Sequence, residues 1–234
     1  MILAYSPHLD DVVFSAAGYL YDRARLGERV KCVTVFTASV PGPTGFALAC
    51  QTDKGLAPEV DYMALRRRED AAACDQLSID YKHWRHREAP HRGYNSAAEL
   101  FAGIKTTDPL KTDRLRGQLH DQLQRLQPRE VLYPYGAGNH VDHLQLIKAV
   151  DELRGEFPDI RFRQYYDMPY ARKFADRYPE LNDTVKGYEL SDKTLRAKVT
   201  ACAAYASQVG FQFGGADKIA AVLGHQEYFR TAGE

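Results

Sequence analysis

Hydrophobic residues along this chain come in two rhythms. Short apolar runs bounded by turn-forming residues predict strands at 2–5, 30–37, 79–84, 130–135 and 160–166. Stretches with apolar residues every third or fourth position predict helices at 12–20, 62–77, 113–126 and 144–153. In the third of these Leu115, Leu119, Leu123 and Leu126 form one stripe. A short helix is expected at 170–178, an edge strand at 184–190, a long helix from Ser191 to Ala206 and a final one at 216–223. Strand and helix alternate over the first 155 residues, which predicts an α/β fold: a mostly parallel sheet with helices on both faces.

Two segments break the rhythm. Residues 38–61 are rich in glycine and proline and have little periodicity, and residues 85–110 are polar with several arginines. Both are too long for simple connections and are expected to form loops at the rim of a site. His83, His86 and His91 cluster there without a regularly spaced carboxylate or cysteine, so a solvated loop or substrate rim is the expectation rather than a metal site. At 234 residues, a single domain spanning 1–234 is expected.

The charge balance, 31 basic against 31 acidic residues, supplies no global field to attract nucleic acid or an anionic membrane. No stretch approaches the roughly 20 apolar residues of a membrane span, and no signal peptide is evident ahead of the first strand. The four cysteines are scattered without a CxxC pair, which argues against a cysteine-built zinc site and for a reducing compartment, so the cytoplasm is the expected location.

Candidate chemistry concentrates in two loops. After the first strand come Ser6-Pro7-His8-Leu9-Asp10-Asp11, and after the strand at 130–135 come Gly136-Ala137-Gly138-Asn139-His140-Val141-Asp142-His143. The blander account makes Asp10 or Asp11 a helix cap with His8 merely nearby. It leaves the second loop unexplained. In a parallel sheet both loops emerge on the same edge, where ligands bind in open α/β folds. A catalytic zinc takes three imidazole or carboxylate donors and leaves a position for water, and His8, Asp11 and His143 supply such a set. Asp10 is then placed to act as general base, His140 in protonated form to stabilise an oxyanion, and Asp142 to orient His140 or a ligand. Hydrolysis of an amide or ester uses all these parts.

The stretch SPHLDD at 6–11 resembles the signature of the LmbE-like, or PIG-L, family of zinc-dependent N-deacetylases, and HVDH at 140–143 is similar to its HPDH motif. Arg68-Glu69-Asp70 resembles the family's arginine-rich helix, and Lys198 through Tyr205, Ser207 and Gln208 its K-x-x-A-x-x-x-Y-x-S-Q run. The resemblance implies a Rossmann-like three-layer sandwich, zinc on His8, Asp11 and His143, Asp10 as base, help from His140 with Asp142 behind it, and a substrate contact from Arg68. It also implies removal of acetyl from an N-acetylglucosamine-type conjugate, a small-molecule partner. Two positions depart from the pattern: Val12 stands where many members have glutamate, and Gly138 where some have a tyrosine near the oxyanion.

Other readings stay open at this level. A related amidase could act on a non-sugar or thiol-conjugate amide, and iron or cobalt could replace zinc. A nucleotide-binding module without hydrolysis is disfavoured because the glycine fingerprint begun at Gly136 and Gly138 has Val141 at its third position. A degenerate member keeping zinc without catalysis is disfavoured because the metal and acid–base residues are all present. The aglycone and any homo-oligomeric state are not encoded in a recognisable motif.

Overall fold

The computed structural model describes residues 1–110, 112–173, 175–179, 181 and 187–233. In chain order its regular elements are β1 (Ile2–Ser6), α1 (Asp11–Arg25), β2 (Val30–Thr34), α2 (Gly45–Thr52), α3 (Tyr62–Gln76) and β3 (Asp80–His83). There follow α4 (Ala97–Leu100), α5 (Thr112–Leu126), β4 (Glu130–Pro134), α6 (Val141–Asp151), β5 (Arg161–Tyr165) and α7 (Tyr170–Lys173). The chain closes with β6 (Tyr188–Glu189), α8 (Asp192–Ala203), α9 (Ala206–Phe213), α10 (Ile219–Leu223), β7 (Gln226–Glu227) and β8 (Phe229–Thr231).

Six strands form the main sheet in the order β3-β2-β1-β4-β5-β8. The first five are parallel, with Ile2 opposite Val30 on one side and Glu130 on the other, and β8 closes the edge antiparallel to β5. β1 is buried at every residue, as a central strand covered on both faces must be. Helices α1, α3 and α8 pack over one face around Val13, Phe14, Cys74 and Cys202, and α5 with α6 over the other around Leu115, Leu119, Leu146 and Val150. This is the expected three-layer α/β sandwich. Strand order reverses direction between β1 and β4, so the loops after these two strands flank the switch point of the sheet.

Several boundaries differ from the sequence pattern for identifiable reasons. The strand expected at 30–37 ends at Thr34, and beyond it a bridge between Phe36 and Arg85 and the bonds from the Val35 and Phe36 N–H groups to the Ser6 and Pro7 carbonyls carry the pairing on. Helix α6 starts at Val141, three residues earlier than expected, because His140 takes the N-cap position. That puts His143 in the first turn of the helix. Residues 38–61 contain α2, and 85–110 contain a 3-10 turn at Ala89–His91 and α4, so neither is wholly irregular. The helix expected at 170–178 is split into α7 and a 3-10 turn at Ala175–Arg177, with residue 174 outside the described residues. Of the edge strand expected at 184–190, β6 is seen, paired with β7, and 184–186 fall outside the described residues. Among the described residues no helix is long and apolar enough to cross a membrane.

The last segment is tied to the first helix by charge. Lys198 on α8 donates to Glu227 on β7 at 2.7 Å with both side chains buried, and the Glu227 carboxylate also accepts from the Gly18 and Tyr19 backbone N–H groups. Removing one partner of such a pair leaves an uncompensated buried charge, which costs about 3–5 kcal/mol. Lys198→Ala is therefore expected to lower the unfolding free energy by that order in urea titration, and a loss under about 1 kcal/mol would show that the pair does not hold this segment.

Candidate active site

The local backbone after β1 explains why its acids are available. Ser6 Oγ accepts from the Val12 N–H at 3.1 Å and so takes the capping role at the start of α1. Asp10, at the N-cap position itself, makes no side-chain cap bond. It is held at φ 150°, a conformation that L residues seldom adopt and that costs on the order of 1–3 kcal/mol. Asp11 turns back, and its Oδ2 accepts from the His8 N–H at 2.8 Å. The simple capping account of these two acids thus fails, and both carboxylates point to the cavity between the loops.

Here the two distant loops meet. Asp11 Oδ2 lies 3.2 Å from His8 Nδ1 and 3.2 Å from His143 Nε2. The far nitrogens of both rings are engaged: His8 Nε2 with Asp142 Oδ2 at 2.9 Å, and His143 Nδ1 with Asp167 Oδ1 at 2.6 Å. These outer carboxylates fix the ring orientations and turn His8 Nδ1 and His143 Nε2 toward Asp11. Nitrogen and oxygen donors at about 2.0–2.2 Å from a tetrahedral zinc stand about 3.3–3.5 Å from one another, close to the spacing found here. His140 completes a cluster in which ligand atoms of His8, His140 and His143 all lie within 4.8 Å of one another. The donor set suits a divalent metal, Zn²⁺ included.

The electrostatics point the same way. Burial alone would drive the protons off His8 and His143, but Asp11 with Asp142, and Asp11 with Asp167, overcome it; His8 rises well above the ordinary imidazole range and His143 to about 9. Asp11 and Asp142 are held well below the carboxylate range in spite of burial, Asp11 by His143 and His8, Asp142 by His8 and Arg92. The centre of the cluster therefore stabilises positive charge. Asp10 behaves differently: burial lifts it to about 7, against the pull of Arg66, whose guanidinium is 3.4 Å from its Oδ2. His140 is pushed down to about 3 by burial and by the neighbouring His8 charge. Its Nδ1 accepts from the Asp142 N–H at 3.2 Å, so the neutral ring carries its proton on Nε2.

Asp142 does not orient the His140 ring through its carboxylate. That carboxylate is spent on His8, on the Ala89 N–H at 3.0 Å and on Arg92 Nη1 at 2.6 Å, and Arg92 is itself clamped by both oxygens of Asp108. The arginine expected at the site is also displaced. Arg68 is exposed and is not among the residues lining the cavity between the loops, whereas Arg66 is buried there between Asp10 and Glu88. Residues two positions apart on a helix point about 200° away from each other, so only one of Arg66 and Arg68 faces inward. Glu69 and Asp70 are structural: Glu69 receives the Ser207 N–H and hydroxyl, and Asp70 the Tyr205 hydroxyl at 2.6 Å and His83 Nε2 at 2.8 Å, which locks α3 to the start of α9. Gln208 lines the cavity and donates to the Tyr62 hydroxyl.

The roles of Asp167, Arg66, Arg92 and Glu88 escaped the sequence reading. Only Asp167 carried a usable signal, an acid at the end of a strand in the parallel sheet. Tyr170 also lines the cavity, and its ring lies 3.7 Å from where a Cβ on Gly138 would stand. The 136–138 amides are already taken, those of Gly136 and Ala137 by Asp167 Oδ2 and that of Gly138 by the Tyr178 hydroxyl. This loop is not a free phosphate cradle.

A parallel α/β sheet carrying His and Asp donors at its switch point has the layout of a metal-dependent hydrolase. The chain belongs to the PIG-L family, GlcNAc-PI de-N-acetylase, whose model matches residues 3–153. It is 30% identical over 174 residues to 2'-N-acetylparomamine deacetylase of Streptomyces fradiae, covering 72% of this chain and 57% of that protein, so the chain spans little more than half the length of this curated relative. Among solved structures it is similar to the A40926 pseudoaglycone deacetylase Dbv21, with 28% identity, a TM-score of 0.78 and coverage of 100% of this chain and 98% of that one. The zinc-inhibited teicoplanin deacetylase Orf2 shares the fold, with a TM-score of 0.79, 22% identity and coverage of 100% and 99%.

Proposed function

We propose that the protein is a zinc-dependent N-deacetylase that releases acetate from an N-acetyl-amino-sugar conjugate. The observation that carries this reading is the Asp11 carboxylate set 3.2 Å from two imidazoles, with the uncapped Asp10 beside it. His8, Asp11 and His143 would hold the metal, which when bound lowers the pKa of water and polarises a carbonyl. Asp10 accepts the proton of the attacking water and returns it to the amine as the C–N bond breaks, so that water and amide become acetate and free amine. Arg66 keeps the Asp10 carboxylate aimed into the cavity. His140, neutral with its proton on Nε2, donates to the acetyl oxygen as that oxygen gains charge, a role it fills without the protonation expected from sequence.

Dimensions support an acetamido group on a larger conjugate. The catalytic cavity is about 120 Å³, and a neighbouring one of about 850 Å³ shares Tyr170, Phe211 and Gln212 with it. The similarity to deacetylases of glycosylated compounds supports the same substrate class. Four free cysteines support a reducing, cytoplasmic setting. The test is acetate release by the zinc-loaded protein from a panel of N-acetylglucosaminyl conjugates. Turnover abolished by chelation supports the assignment; a zinc-loaded protein that releases no acetate from any of them overturns it.

The outer carboxylates give a further expectation. Asp167→Asn keeps the shape but weakens the hold on His143, and loss of such a partner typically costs about 10- to 100-fold in metal affinity. Competition with a fluorescent zinc chelator would measure it, and an unchanged affinity would exclude Asp167 from the metal centre.

A further inference from the structure

A third cavity, of about 640 Å³, opens between the 82–92 segment and the first turns of α5. Its lining contains no Asp or Glu. Lys82, Arg85, Arg87 and Arg114 converge on it, and among the described residues none of these four side chains makes an ion pair or hydrogen bond. In a chain with as many acids as bases, four unpaired cations around one concavity mark a local field that the bulk charge conceals. His86 stands in this field: burial lowers it, and Arg114 and Arg92 lower it further, while its Nε2 is turned to Gln118 on α5 at 2.9 Å. The floor is rigid, because Arg92 is buried and clamped by Asp108 and Asp142, neither of which lines this cavity.

We propose that this cavity binds a phosphate-bearing small molecule, the guanidinium groups of Arg85, Arg87 and Arg114 supplying paired N–H donors to its oxygens. Arginine forks match tetrahedral oxyanions in geometry as well as charge, and the cavity lies within the range of sizes that hold small organic ligands. A bare phosphate leaves most of that volume unused, so the fit favours a phosphate ester. Arg92 is the wall shared with the catalytic centre: one side of its guanidinium holds the Asp142 that orients His8. Occupancy of the cavity is thereby placed one residue away from the acid that positions a metal-site imidazole.

The proposal stands apart from the deacetylase reading and is tested without turnover. Calorimetric titration of the zinc-loaded protein with glucose 6-phosphate and with inorganic phosphate is run on the wild type and on Arg85→Glu/Arg114→Glu, two residues outside the catalytic cavity. Binding of the sugar phosphate that weakens at least 10-fold in the variant, while the melting temperature and zinc content stay unchanged, is the expected result. Equal binding of inorganic phosphate would show that the site reads only the oxyanion, and stronger binding of the sugar phosphate that it reads the ester; both support the site. No binding of either probe at millimolar concentration overturns it. So does binding that survives in the variant but disappears on chelation, because the anion would then sit at the metal. A milder variant, Arg85→Gln/Arg114→Gln, repeats the comparison should the charge reversals perturb folding.

Discussion

His143→Ala is expected to yield a protein with less than a tenth of the wild-type zinc per chain and no measurable deacetylation. His143 is buried, its Nε2 faces Asp11 and its Nδ1 is pinned by Asp167, so its loss removes a donor held in place from both sides. Truncation also leaves the buried Asp167 without its imidazole and Asp11 with His8 alone, which destabilises the fold, so His143→Gln is the companion variant that keeps a hydrogen-bonding group in place. Elemental analysis of both variants measures the outcome. The informative comparison is His140→Ala. With the Asp11-centred set as the metal site, this variant keeps its zinc and loses about 10²- to 10³-fold in kcat, the usual cost of an oxyanion donor. Zinc lost from His140→Ala but kept in Asp11→Ala would move the site to the three histidines.

Asp10→Asn is the second large effect. The amide preserves shape and the contact toward Arg66 but cannot take a proton, so kcat should fall by about 10²- to 10⁴-fold with zinc content unchanged. Near-wild-type turnover would remove Asp10 from the role of base. The same position carries backbone strain. Asp10→Gly and Asp10→Ala take the same partner from the buried Arg66, but only alanine keeps the strain at φ 150°, so the glycine variant is expected to be the more stable of the two in urea unfolding by about 1–2 kcal/mol; equal stability would show that no strain is stored there.

Much of this was readable from residue patterns. Alternation of short apolar runs and amphipathic stretches is a local signal, and it located the five parallel strands and the helices on both faces because each must bury its own apolar surface. The two loops were legible for the same reason: a strand–loop–helix unit in a parallel sheet sends its loop to one edge, so His8 with Asp10 and Asp11, and His140 with Asp142 and His143, had to approach each other. The short antiparallel β7 and β8 were missed because two- and three-residue strands carry no periodicity of their own.

Side-chain direction and pairing were settled by the folded chain alone. Which arginine of Leu65-Arg66-Arg67-Arg68 reaches the cavity depends on the rotation of α3 against the sheet, and that is set by Asp70 and Glu69 docking on Tyr205 and Ser207, more than 130 residues away. That Asp142 serves His8, that Asp167 serves His143 and that Ser6 frees Asp10 from capping are facts of three-dimensional neighbourhood; the residue types only made them possible. Ligand chemistry was encoded in residue identity and loop order, whereas the partner each charged group would find was decided by packing, because buried charges are satisfied by whatever the tertiary contacts bring within about 3 Å.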